Sequence, residues 1–310
     1  MTALLNFREA VEKIYAKYDV YVISIWKFLL ALVSFLLING RLGYFEKLDS
    51  IFVVLILALF CSFMPVNTIV LLGAVMILGH LYGLSLPALI VGGGILIILL
   101  LLYMGTITQM GYVLVLTMVA LAAGVPGMVP LVFGLLCGPT AIAAICFGTA
   151  AYYVLEAVDG AAQAGTAAGG ATAAEESQAI VENVKILLER ISQENQMVLM
   201  MISLAAAFLV VWLIRKMAVK HAWTLAILMG TLTFLVVDLL GCVVFGETGK
   251  ILGILIGTAI SVGIAFCVKF FRFHVNYSRT MQVQFEDGNY YYYVKAVPKR
   301  KKGSEASGGN

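Results

Sequence analysis

Asp238 is the one acid set well inside an apolar stretch, in the run LVVDLLG seven residues before Phe245. An ionisable group at that depth carries a proton or binds a cation in many membrane proteins. A hydrogen bond to a neighbouring helix, or a position close enough to the interface to stay wet, would also keep it. His80 is the only side chain titrating near neutrality among the 106 residues between Asp49 and Glu156. It reads as a proton relay or substrate ligand, or as a histidine at an interface. Asn67, Thr68, Thr106, Thr108 and Gln109 add polar groups to the same block, either lining a path or joining helices by hydrogen bonds.

Other chemistries lack the residues they need. There is no HExxH, no GxSxG and no GxxxxGK[ST], which removes the zinc-protease, nucleophile-elbow and phosphate-loop readings. A membrane aspartyl dyad needs two acids sharing a proton, and only Asp238 is placed for one. Cys61, Cys137, Cys146, Cys242 and Cys267 form no CxxC pair and no cluster with zinc spacing, so they read as small packing residues. The expectation is a chain with no catalytic centre, cofactor or metal.

The elements that would position these residues are membrane helices. Of 310 residues, 62% are apolar and 12% charged, against about 45–50% and about 25% in an average soluble domain. So few charges cannot cover a water-soluble globule. The composition excludes a soluble enzyme, a nucleic-acid binder and a disordered chain, and places the protein in a lipid bilayer. The expected fold is an all-α polytopic bundle of about eight crossings: Val20–Leu37, Val66–Tyr82, Leu86–Met104, Ile107–Ala123, Thr140–Val158, Val198–Met217, Ala222–Phe245 and Ile251–Phe271. The first reads as a retained helix, since no small-x-small cleavage pattern follows it.

Two apolar segments are shorter than the roughly 20 residues a crossing needs. Ile51–Met64 stops at Pro65, and Met128–Cys137 contains Pro130 between Pro126 and Pro139. They read as re-entrant, tilted or broken. Carbonyls freed by proline need partners in lipid, so this backbone should be buried in protein or line a wet cavity. The two stretches also resemble each other: a short apolar run, a cysteine, a proline, then a long apolar run. Three intervening crossings would make them an inverted repeat, an arrangement of alternating-access transporters.

Five divisions follow. Residues 1–19 form an amphipathic surface helix, and 20–158 form a membrane domain holding the charge-free block. Residues 159–197 are an external linker and amphipathic helix, 198–271 are three further crossings, and 272–310 are a tail. Fourteen of the twenty Lys and Arg residues then share one side, which the positive-inside rule makes cytoplasmic, with both termini there; Lys27 lies inside the first helix and can snorkel. In the tail, Asp287-Gly288 signals a β-hairpin with Phe285 opposite Tyr290 and Val283 opposite Tyr292. That pattern gives an apolar face for a protein partner, a second copy or the chain's own membrane domain. Lys299, Arg300, Lys301 and Lys302 could contact anionic lipid.

The expected function is a transporter or permease-type component of the plasma membrane. Its path would run at Pro126, Pro130 and Pro139 and near Asn67, Thr68 and Gln109, with Asp238 and His80 coupling protons or binding a cation. The rival is a scaffold or assembly subunit docking partners through the hairpin. Neither reading involves nucleic acid.

Overall fold

In the computed structural model the described residues are 11, 17–106, 108–163, 184–185, 189, 195–217, 219, 221–246, 249, 251–272, 281–287 and 290–296. The N-terminal surface helix, the external linker with most of its amphipathic segment, and Lys299–Lys302 lie outside them. So do the side chains of Val283, Phe285, Tyr290 and Tyr292. Two compact units divide the chain, Met1–Ala265 and Phe266–Asn310.

Helices in chain order are α1 (Asp19–Leu42), α2 (Ile51–Phe63), α3 (Asn67–Leu84), α4 (Leu86–Thr106), α5 (Gly111–Ala122), α6 (Met128–Leu136), α7 (Ala141–Gln163), α8 (Asn195–Lys216), α9 (Ala222–Val244) and α10 (Ile251–Arg272). Seven of them, α1, α3, α4 and α7 to α10, are long and apolar enough to cross a membrane. Their outer faces carry bare hydrocarbon: Val20 is 67% exposed, Leu101 65% and Leu252 68%. Apolar surface on that scale is stable against lipid and not against water.

Hydrogen bonds order the helices along the first unit. Where α1 begins, here termed the near end, Ser62 Oγ donates to the Ser24 carbonyl at 2.9 Å and Lys27 Nζ to the Met64 carbonyl at 3.0 Å. Tyr103 donates to Asn67 at 2.9 Å and reaches the Thr108 carbonyl at 3.3 Å. At the far end Asn39 meets His80, Tyr44 meets Asp159 and Arg41 meets Tyr152. Thus α1 runs from near to far, α2 returns, α3 goes out and α4 comes back. Gly92 lets α4 close on α7 at the far end, where a Cβ would stand 2.9 Å from Val158; Gly93 likewise meets Leu78, and Gly94 meets nothing within 4 Å.

The short helix α2 therefore passes from one end to the other. Its 13 residues cover about 20 Å, enough to match α1 from Asn39 to Ser24. The expected crossing Ile107–Ala123 does not pass through. Its α-helix has 12 residues, starts at the near end after a 3₁₀ turn at Thr108–Met110, and ends in a turn whose Gly127 meets Phe234 and Ser261 near the middles of α9 and α10. Gly124 takes a left-handed φ of 72°, a conformation glycine adopts without strain. Pro126 then prevents continuation, and α6 leads back. Tyr112, at the start of α5, lies 3.3 Å from Cys137 Sγ at the end of α6.

So α5 and α6 are the legs of a helical hairpin that enters and leaves at one end. This also corrects the repeat. The pairs α2–α3 and α6–α7 both run to the near end and then out to the far end, so they are parallel rather than inverted. The inversion required Ile107–Ala123 to cross.

Candidate functional site

The turn of the α5–α6 hairpin, 123–127, sits halfway along the bundle. A Cβ on Gly127 would lie 3.4 Å from the ring of Phe234, near the middle of the 23-residue α9. It would lie 3.3 Å from Ser261 Oγ, near the middle of α10. Ser261 donates to the Val125 carbonyl at 3.4 Å and, more tightly, to its own Gly257 carbonyl at 2.7 Å. Gly257 admits the turn, since a Cβ there would collide with the Gly124 carbonyl. Yet Ala123 and Gly124 are exposed at mid-depth, with their amides paired to Val119 and Leu121.

The near ends of both broken segments are closed by cations from neighbouring helices. The Lys27 ammonium caps the Met64 carbonyl at the end of α2. The Arg215 guanidinium donates to the carbonyls of Leu135 and Cys137 at the end of α6, the latter at 3.3 Å. Each cation satisfies carbonyls left without an intrahelical donor and opposes the negative helix end. Sequence reasoning gave Lys27 only a snorkelling role and assigned no partner to Arg215. Two signals were available: Lys27 is the single charge between the terminal turns of its helix, and Arg215 stands with Lys216 in the last turn of its own.

The residues expected to share a path separate into three places. Asn67 and Thr68 lie at the near end, Asn67 beside Tyr103 and Gly111, with Gln109 exposed close by. The prolines do not converge: Pro126 is in the mid-bundle turn, Pro130 is in the first turn of α6, and Pro139 follows that helix at the near end. His80 is at the far end and fully buried. Its Nδ1 accepts from the Phe45 amide at 3.3 Å, so Nε2 carries the proton and donates to Asn39 at 3.0 Å. Asn39 in turn donates to the Leu48 carbonyl at 2.9 Å. The imidazole thus ties α3 to α1 and to the 43–50 loop.

Asp238 is 3% exposed and lies one helical turn beyond Phe234, on the face of α9 that meets α8. Ser203 of α8 reaches the Phe234 carbonyl at 3.5 Å, and Leu199 fills the space beside Gly241. Asp238 is therefore one turn from the hairpin tip and remote from His80.

Beside the hairpin lies a cavity of about 130 Å³ between α1, α3, α4, α5 and α7, with Arg41, Tyr152, Glu156 and Asp159 at its far end. Tyr44, in the loop above, donates to Asp159. Burial, and then the Asp159 hydrogen bond and charge, raise the Tyr44 pKa above the usual phenol value, so this donor keeps its proton. Among the described residues no group of three or more His, Cys, Asp and Glu could hold a metal.

No family model, no curated protein and no solved structure matches this chain.

Proposed function

We propose that this chain is a transport component of a cell membrane, with its path at the tip of the α5–α6 hairpin. One observation carries the reading: Ala123 and Gly124, in the non-helical turn of the hairpin, are exposed halfway along the bundle, their amides donating back to the Val119 and Leu121 carbonyls. Non-helical backbone at membrane depth persists where it is buried in protein or lines a water-filled cavity. A water-filled path supplies the second. Asp238, buried one turn from Phe234, supplies the charge that couples a proton or cation to movement of the tip.

The seven long helices, with α2 traversing, make eight crossings and leave both termini on one side. Trp26, Trp212 and Trp223, all the tryptophans of the chain, lie toward the near end with Lys17, Lys27, Arg215 and Lys216. The far end carries Arg41 and Lys47 together with the acids Glu46, Asp49, Glu156 and Asp159. Basic residues among interfacial aromatics mark a cytoplasmic face, which favours the near end as the cytoplasmic one.

The test is labelling of Ala123→Cys by a small membrane-impermeant maleimide, in a background without native cysteines and in oriented vesicles. A wet path gives labelling, with Thr140→Cys as the accessible control and the buried Val113→Cys as the protected one. Protection at position 123 would remove the transport reading.

The docking reading has its own support. The backbone pairs Met281–Asp287 with Tyr290–Ala296, setting Phe285 opposite Tyr292 and Val283 opposite Val294. That register is two residues from the one an Asp287-Gly288 turn gives. An isolated hairpin is marginal in water, and a partner protein or a second copy would stabilise it, with Lys299–Lys302 on anionic lipid. Removing 273–310 separates the readings: transport expects labelling at position 123 to survive, and docking expects the native assembly to shrink.

A further inference from the structure

The cavity beside the hairpin is walled by hydrocarbon from five helices, with Phe35, Ile77, Leu96, Met118 and Phe147 one from each. The hydroxyls of Ser34 and Tyr103, deeper than the mouth, are engaged within the protein. Ser34 donates to the Leu30 carbonyl at 2.6 Å and Tyr103 to Asn67 at 2.9 Å. A charge drawn among these walls would give up its water for hydrocarbon, at a cost that nothing there offsets. An apolar cavity of about 150 Å³ stays dry and accepts benzene, so a chamber of about 130 Å³ takes one small ring and little more.

The mouth fixes the route of entry. Of the residues lining the chamber, only Arg41 and Glu156 are exposed. Both stand at the far end, so the chamber opens at a membrane surface rather than sideways into lipid. That route separates two sources of hydrocarbon. Lipid tails end at the middle of a core about 30 Å thick, and a tail would have to pass the headgroup level methyl-first to reach this mouth. A free molecule needs no such inversion.

We propose that this chamber binds a small uncharged apolar molecule, the size of a single benzene ring, admitted from the far end. Val115, Met118 and Ala122 belong to α5 and line the chamber, so the guest touches the hairpin leg that ends at the exposed turn. Binding requires no transport, and the two readings fail in different experiments.

The test uses the full chain in nanodiscs of zwitterionic lipid, with isotope-labelled methionine methyls and benzene as the probe. Met118 lines the chamber; Met229, 40% exposed on α9, reports benzene dissolved in the lipid. The Met118 methyl resonance, assigned with Met118→Leu, is expected to shift with saturation, while Met229 moves only in proportion to the benzene added. Triisopropylbenzene, too large for the chamber, and the charged benzoate and benzylammonium should each shift Met118 at least tenfold less at equal concentration. Ala74→Leu, filling the chamber from α3, should abolish the saturable shift and leave Met229 unchanged. A Met118 shift that tracks Met229 without saturating would overturn the proposal. So would an equal shift from the large arene or from either ion, a saturable shift retained in Ala74→Leu, or magnetisation transfer from lipid-tail protons to Met118 that benzene does not displace. The unsubstituted chain decides alone, so misfolding of Ala74→Leu would not rescue it.

Discussion

Lys27 Nζ donates to the Met64 carbonyl at 3.0 Å, closing the end of a helix that proline has cut short. Arg215 does the same for α6 from a helix 78 to 80 residues away in sequence. The two broken segments differ in length and in their path through the bundle. They share a physical problem, carbonyls left without donors in an apolar setting, and each is supplied with a cation at the same end.

Removing a cation should therefore cost more than an ordinary helix-surface change. Arg215→Met leaves the Leu135 and Cys137 carbonyls short of a donor, at about 1–3 kcal/mol for each group left unsatisfied. Its Tm in detergent should fall clearly, and Arg215→Lys should recover part of the loss. Lys27→Met should show a smaller drop, since one carbonyl is affected. An Arg215→Met protein as heat-stable as the parent would mean that the caps are decorative.

Gly253 and Gly257 form a GxxxG pair whose members should respond differently. A methyl on Gly257 collides with the Gly124 carbonyl, while Gly253 has nothing within 4 Å of its would-be Cβ. Gly257→Ala should push the hairpin turn away from α10, lowering stability and altering labelling at position 123. Gly253→Ala should be neutral in both. Parallel effects at the two glycines would favour a helix-dimer motif over an internal seat.

The Asn39–His80 pair should behave as one unit. Either Asn39→Ala or His80→Ala strands the other side chain in a buried site, and the double variant loses little more than the worse single one. A double-mutant cycle on thermal stability should give a coupling of about 0.5–3 kcal/mol. Additive losses would show that the two groups act separately and would reopen a relay role for His80.

Much of the architecture was legible because charge is costly in lipid. The gap from Asp49 to Glu156 alone marks the membrane block. Hydropathy failed at Ile107–Ala123 and Ile51–Met64 because it counts apolar residues and not where a helix turns back. The former has the composition of a crossing, but Gly124, Pro126 and Gly127 end it at mid-depth; the latter is short but long enough to match its neighbour. Those punctuating residues were in view, read only as brackets of the next segment.

The candidate site was less legible. Asp238 stood out as a lone acid, whereas the seat for the turn depends on Gly257 and Ser261, which meet it only in three dimensions. Pro126, Pro130 and Pro139 cluster in sequence and disperse in space, because the nine residues of α6 carry the chain about 13 Å from the turn back to the near end.

The most direct test of the hairpin is its depth. Spin labels at Gln109→Cys, Ala123→Cys and Thr140→Cys, read against oxygen and a water-soluble nickel chelate in bilayers, measure how far each lies from the headgroups. With a hydrocarbon core of about 30 Å, a re-entrant hairpin puts Ala123 about 15 Å deep, with Gln109 and Thr140 both at the surface of one face. Ala123 at headgroup level on the opposite face would mean that α5 and α6 each cross the membrane, and the path proposed at their turn would have no place.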